Sequence, residues 1–189
     1  MIVTPGFDSG KSCPYHRSIM PRSLYAWYSL NELEALGQRE ARLDGEIEAT
    51  RLTRLRELLN SDDGSVRASL KFGQRGAGYV TVDVDYETDL ELACQRCLEP
   101  MKEKRSGHVS LVVLEDESMA AGAPAGYEPI TLSGKRVQPA ELVEDELIVS
   151  LPLIPRHARI EECGGLARRL EALQDENEAR PIDPSLRSH

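Results

Sequence analysis

The sequence predicts one α+β domain in which two helices come first, an antiparallel β-sheet follows, and a carboxy-proximal helix packs on the sheet. Three observations predict it. Apolar residues keep helical spacing before residue 60, alternate with polar residues from 65 to 113, and return to helical spacing after Pro139. With 189 residues, the chain can bury one core of ordinary size. We therefore place a single domain at residues 23–173.

The segment 1–22 precedes the first predicted helix. It is rich in Gly, Pro, Ser and basic side chains and has no apolar period, so we expect a flexible leader. Met20 is a second candidate for the start of translation. Cys13 and His16 lie in this leader, away from any predicted core, and we assign them to no site.

Two helices are predicted from apolar spacing. Asn31 can cap the first helix, which carries Leu33 and Leu36, with Leu43 as a further candidate and Gly37 as a weak point. The second helix carries one apolar stripe and stops where Asn, Ser, Asp and Gly follow it. The stripe consists of Leu52, Leu55, Leu58 and Leu59.

Three strands follow, because apolar residues then recur at every second position. The first begins at Ser65, the second runs from Val80 to Cys94 with a bend at residues 87–89, and the third contains residues 109–113. The connections between these strands are short, so we expect neighbouring strands to be antiparallel.

The remainder of the domain holds a linker and a helix. Residues 115–126 are acidic and rich in Ala, Gly and Pro, which predicts a surface linker. A short apolar piece, residues 130–132, comes next. Pro139 can then occupy the first turn of a helix that ends before Pro152. Its apolar residues are Leu142, Val143, Leu147 and Ile148.

The end of the chain loses this pattern. A short helix is predicted at residues 166–173. Acidic residues and two prolines follow it, so we expect residues 174–189 to form a flexible tail.

The composition limits the classes of function. A net charge of −9 opposes general affinity for nucleic acid, which depends on clustered Lys and Arg. Four cysteines without a secretory signal favour a reducing compartment, the cytoplasm. No apolar run approaches the length of a membrane span. Local basic clusters remain candidates for contact with RNA or a partner. The one beside the cysteine pair consists of Arg96, Lys102, Lys104 and Arg105.

The pair Cys94 and Cys97 is the most informative motif. A C-x2-C turn after an alternating strand is typical of a metal knuckle, a redox pair or two core thiols. Two more candidate ligands, His157 and Cys163, follow far downstream. A return strand is expected after Pro100, whereas a thioredoxin-like redox pair begins a helix, which weakens the redox interpretation.

Several ordered blocks together resemble a known family. They are Cys94-Gln95-Arg96-Cys97 with Pro100; Tyr127-Glu128-Pro129-Ile130; Val143-Glu144-Asp145-Glu146-Leu147-Ile148; and Leu151-Pro152-Leu153-Ile154-Pro155-Arg156-His157 before Cys163. In order and spacing these blocks resemble the YceD family of bacterial large ribosomal RNA subunit accumulation proteins. The resemblance covers roughly residues 20–163.

The resemblance implies a cytoplasmic role in the synthesis, processing or stability of 23S ribosomal RNA, and it supplies no catalytic residue. Other members of the family commonly end in a second C-x2-C pair, whereas Cys163 is followed by Gly164 and Gly165 and by no further cysteine. His157 would then complete a set of four ligands with Cys94, Cys97 and Cys163. Such a Cys3His set suits structural zinc. Metal-free packing of the thiols and a redox pair stay open as alternatives.

An acidic group offers a different function. It consists of Glu141, Glu144, Asp145 and Glu146. Paired carboxylates can hold the metals of a magnesium-dependent nuclease that trims precursor RNA, but on a helix most of these acids would point in different directions. We expect instead an acidic face that meets a basic partner.

Three hypotheses result. The first is a non-catalytic factor for 23S ribosomal RNA that contacts the RNA or its precursor directly, or through a ribosomal protein or processing factor. The second is a magnesium-dependent RNA-processing nuclease. The third is an adaptor that binds only proteins. The sequence does not define the oligomeric state.

Overall fold

The computed structural model describes residues 23–76, 78–132, 136–165, 169, 172 and 173. The predicted leader, the predicted tail and most of the predicted helix at 166–173 lie outside these residues, as do Cys13 and His16.

The described part of the chain has an α+β architecture with few helices. The helices are α1 (Leu30–Gly37), α2 (Thr53–Arg56) and α3 (Pro139–Ser150). The strands are β1 (Tyr28–Ser29), β2 (Arg42–Glu48), β3 (Ser65–Arg75), β4 (Tyr79–Ala93), β5 (Pro100–Leu114), β6 (Glu128–Thr131) and β7 (Arg136–Val137). No helix in this part of the chain has the length and hydropathy needed to cross a membrane.

Five strands form the main sheet in the order β2-β3-β4-β5-β6, and β1 pairs separately with β7. The pairs from β2 to β5 are antiparallel, whereas β6 runs parallel to β5. The antiparallel arrangement expected from the short connections is confirmed for β3, β4 and β5. The short apolar piece at 130–132 begins within β6, which sequence spacing did not identify as a strand.

The alternating pattern of β3 and β4 builds the core. Phe72 lies opposite Val82, which lies opposite Leu111, and all three are buried on one face of the sheet. The helices place further apolar residues in the same core: Leu33 and Leu36 from α1, Leu55 from α2, and Leu142, Val143 and Leu147 from α3. Burial of this apolar surface is the main force that holds the helices on the sheet.

The first helix ends earlier than the prediction that included Leu43. α1 ends at Gly37, and Leu43 lies in β2, where it faces Leu70 of β3. Leu43 and Ile47 are both buried. Residues four positions apart lie on the same face of a helix and also on the same face of a strand. The spacing of Leu43 and Ile47 therefore does not distinguish the two structures, and only the pairing with β3 does.

The second helix is shorter than predicted and does not include the whole leucine stripe. α2 is a single turn, Thr53–Arg56, preceded by a 3-10 turn at Ala49–Arg51. Leu52 and Leu55 are buried, whereas Leu58 is exposed. β4 runs as one strand through the bend expected at residues 87–89. The predicted linker at 115–126 contains the exposed 3-10 turn Glu117–Gly122.

Candidate metal centre

The C-x2-C motif lies in the turn between the two longest strands. β4 ends at Ala93 and β5 begins at Pro100. The N–H of Leu98 donates to the carbonyl of Cys94 at 2.8 Å, and the N–H of Cys94 donates to the carbonyl of Glu99 at 3.0 Å. Leu98 closes the turn with φ at 62°, in the left-handed region that non-glycine residues rarely adopt. The turn therefore fixes both thiols at one end of the sheet.

The downstream ligands come from the segment after α3. The N–H of Gln95 donates to the carbonyl of Pro155 at 2.8 Å. Nη2 of Arg96 donates to the carbonyl of His157 at 2.9 Å. Cys163 follows the 3-10 turn Ile160–Glu162, and its N–H donates to the carbonyl of Ile160. These bonds hold the downstream segment against the cysteine turn.

The four predicted ligands converge. Nδ1 of His157 lies 3.5 Å from Sγ of Cys97 and 3.6 Å from Sγ of Cys163. One ligand atom from each of Cys94, Cys97, His157 and Cys163 lies within 4.8 Å of the others. The three thiols are buried, with Met101 and Ile160 packed around them.

These residues fit a zinc ion. In a tetrahedral site, bonds of about 2.3 Å to sulfur and 2.1 Å to nitrogen separate the two ligand atoms by about 3.6 Å. The observed nitrogen–sulfur distances are close to that value. Three soft thiolates and one imidazole are also a donor set that zinc prefers. The cluster can therefore hold one metal ion with no open coordination position.

The thiols differ in acidity. Burial opposes ionisation of Cys94, but hydrogen bonds from the backbone N–H groups of His157, Arg96 and Cys97 outweigh burial and lower the pKa of Cys94 to about 5. Burial, together with hydrogen bonding to Cys97, raises the pKa of Cys163. Because metal ligands bind as thiolates, Cys94 is prepared to bind at neutral pH, whereas Cys163 must release a proton.

This difference predicts a pH titration of the metal-free chain. We expect thiolate absorbance near 240 nm to fall as the pH is lowered through about 5, because Cys94 becomes protonated there. Cys94→Ser should remove that step, whereas Cys13→Ser, which changes none of the four candidate ligands, should leave it. A titration with no change below pH 7 in the native chain would contradict the expectation.

The predicted basic group does not form one patch. Arg96 is half-buried and donates a hydrogen bond to the carbonyl of His157, so it holds the backbone of a candidate ligand in place. Lys102 and Lys104 are exposed on one face of the sheet, where Glu91 and Asp89 lie opposite them. Arg105 points to the other face and pairs with Glu103 at 2.6 Å. The sequence suggested no such role for Arg96, although its position inside the C-x2-C turn was the available signal.

The four acidic residues of α3 that were predicted to form one partner-binding face have different environments in the structure. The Glu144 side chain is only 6% exposed and pairs with Arg54 at 3.0 Å. Asp145 pairs with the same guanidinium, and Glu141 takes part in the capping box of α3. Glu146 is half-buried, and burial together with the negative charges of Glu128 and Asp145 raises its pKa. Most of these acids therefore have internal roles, because α3 packs against α2 and the sheet.

Residues 82–188 match the family model described as "Large ribosomal RNA subunit accumulation protein YceD". The chain is also similar to the protein of that description from Haemophilus influenzae. The two are 32% identical over 127 residues, which is 66% of this chain and 72% of the relative. No solved structure matches the chain significantly. All four ligands of the cluster lie within the residues that the family model matches.

Proposed function

The chain belongs to the YceD family of large ribosomal RNA subunit accumulation proteins, and from that premise we propose that it is a non-catalytic factor in the synthesis, processing or stability of 23S ribosomal RNA. The observation that carries the proposal is the family match. The family is named for accumulation of an RNA and not for a reaction. The site of action would be the cytoplasm, where bacterial ribosomal subunits assemble.

We propose further that Cys94, Cys97, His157 and Cys163 hold a structural zinc ion. The ion would cross-link the β4–β5 turn to a segment 60 residues downstream. Closing a loop of that length costs conformational entropy, which a strong cross-link offsets. Arg96 would support the site by holding the His157 backbone in place.

The nuclease alternative finds less support. A two-metal site needs converging carboxylates. Among the described residues, however, only the Cys/His cluster brings three or more candidate ligands within 4.8 Å of one another.

A second possible catalytic group is the set Asp85, His108 and Ser110 on the open face of the sheet. The Ser110 hydroxyl donates its hydrogen bond to Asp83 at 2.6 Å and lies 3.5 Å from His108. Its proton is therefore directed at Asp83 and not at the histidine that would act as the general base.

An adaptor that binds proteins is the second candidate, and the net charge of −9 favours it. Free RNA would be repelled by this charge, whereas basic proteins would be attracted. Direct contact with RNA would fall to the exposed pair Lys102 and Lys104.

The test is the ratio of 23S to 16S ribosomal RNA in a strain that lacks this protein, with precursor ends mapped. We expect the ratio to fall and the native chain to restore it. A ratio that is unchanged by the deletion would refute the proposed function. RNA cleavage by the purified chain that depends on magnesium and disappears in Asp145→Ala would favour the nuclease instead.

A further inference from the structure

The outer side of β5 has no neighbouring strand over most of its length. β5 contains 15 residues, and on one side β4 pairs with it from Pro100 to Val113. On the other side, β6 pairs only with residues 111–114. Within the described part of the chain, residues 102–108 therefore form a free edge of the main sheet, which we name the β5 edge.

The backbone of the β5 edge directs hydrogen-bonding groups away from the sheet. In an antiparallel pair, residues that bond the partner strand alternate with residues that do not. The N–H of Cys94 donates to the carbonyl of Glu99 at 3.0 Å, and the register continues from there without interruption, so the odd-numbered residues of β5 bond to β4. The even-numbered residues direct their N–H and C=O groups outward, where no described residue bonds them. They are Lys102, Lys104, Ser106 and His108.

The spacing of these groups defines the shape of a ligand. The four residues are exposed to solvent, so a ligand can reach their backbone. A row of N–H and C=O groups at every second residue matches the backbone of another extended chain, which can add to the sheet as a further strand. The β5 edge is therefore suited to bind an extended protein segment.

The charged side chains of the β5 edge are mainly basic. Three basic residues and one acidic residue lie in it, namely Lys102, Lys104, Arg105 and Glu103. Arg105 and Glu103 lie on the core side of the sheet and pair with each other at 2.6 Å. Lys102 and Lys104 project from the open face, and no ion pair joins either of them to another described residue. The edge thus presents two available ammonium groups.

These two lysines define the charge of the added strand. They are two residues apart, so both project from the same face. Glu91 and Asp89 lie opposite them on the β4 side, and an added strand would lie at the same distance of about 4.8 Å on the other side. Opposite charges that face each other across strands stabilise a sheet, and like charges destabilise it. The lysines therefore exclude a basic strand and select one with carboxylates at alternate positions.

We propose that the β5 edge binds an extended acidic segment of another protein, which adds a strand beside β5 with carboxylates opposite Lys102 and Lys104. The backbone hydrogen bonds would supply affinity, and the lysines would select the charge of the segment. This inference goes beyond the proposed function and does not depend on it.

The experiment titrates the full chain, labelled with nitrogen-15, with a synthetic peptide of alternating Glu and Thr of about nine residues, within the usual length of a strand. We expect the amide signals of Lys102, Lys104, Ser106 and His108 to shift with a dissociation constant of about 1 mM or lower. At saturation, hydrogen exchange at these amides should slow by about tenfold or more. A peptide of alternating Lys and Thr is the matched control and should cause neither change.

Two changes at one position separate the backbone from the side chain. Ser106→Pro removes an outward N–H and should weaken binding of the Glu peptide about tenfold. Ser106→Ala keeps that N–H and should bind within about twofold of the native chain. Proline is tolerated on an edge strand where its N–H would face solvent, so Ser106→Pro should fold, which its amide spectrum checks.

A charge reversal tests the selection without changing the backbone. The double variant Lys102→Glu, Lys104→Glu keeps every N–H of the β5 edge. We expect it to prefer the Lys peptide to the Glu peptide, because like charges would then oppose the Glu peptide.

Four results would overturn the proposal. The first is no shift of the four amides at millimolar Glu peptide, and the second is an equal shift with the Lys peptide. The third is protection of these amides from exchange before any peptide is added, which would mean that the chain itself or a second copy covers the edge. The fourth is a stronger response of the same amides to single-stranded RNA than to the Glu peptide.

Discussion

Cys97→Ser is expected to abolish zinc binding and to lower the midpoint of thermal unfolding by about 10 °C. A ligand present at a thousand times its dissociation constant stabilises a folded protein by about 4 kcal/mol, and this substitution removes one of four ligands. The native chain should carry one zinc ion per molecule. Zinc content by mass spectrometry and unfolding by circular dichroism, each with and without a chelator, measure both effects.

Cys13→Ser is the matched control, because it removes a cysteine and leaves Cys94, Cys97, His157 and Cys163 intact. Its zinc content and unfolding midpoint should equal those of the native chain. A native chain that contains no metal, and whose midpoint is unaffected by zinc, would support metal-free packing of the thiols.

Glu144→Ala is expected to lower the free energy of unfolding by about 2–4 kcal/mol, because a buried N–H group that loses its acceptor costs about 1–3 kcal/mol. The Arg54 side chain is 54% exposed, so water can solvate its charge after the substitution. Oε1 of Glu144 accepts the backbone N–H groups of Arg54 at 2.7 Å and Leu55 at 3.1 Å. Its Oε2 accepts a hydrogen bond from Nη2 of Arg54 at 3.0 Å. Alanine would leave these donors at the start of α2 without an acceptor, and α2 would lose its main polar link to α3.

Urea denaturation measures this effect, with Asp145→Ala as the control. Asp145 pairs with the same guanidinium, but its side chain is 54% exposed, so its loss should cost less than about 1 kcal/mol. If the two variants lose the same free energy of unfolding, the burial of Glu144 does not make its carboxylate more important for stability than that of Asp145. Glu144→Gln should fall between them, because its amide oxygen can still accept one N–H.

Much of the fold follows from local pattern. The period of two predicted β3 and β4, because a sheet with one buried face requires alternation. Pro139 and the apolar spacing after it predicted α3, since proline suits the first turn of a helix. The four candidate ligands were also selected from the sequence, because cysteine and histidine are few outside the leader.

Other features could not be read from spacing. Leu43 and Ile47 fit a helix as well as a strand, and only pairing with β3 decides the matter. β6 is too short to show a period, and its parallel alignment depends on β5. Arg96 was expected to contact RNA or a partner protein, and its hydrogen bond to the His157 carbonyl depends on the approach of the downstream segment, which spacing does not reveal.

The sequence by itself determined β3, β4 and β5 of the sheet, the last helix, the family and the four candidate ligands, because these depend on residue type and on spacing within short segments. Only the tertiary structure decided that Glu144 is buried and that, within the described part of the chain, β6 covers only one end of β5. Both outcomes depend on contacts between residues far apart in the chain, and periodicity along the chain carries no information about such contacts.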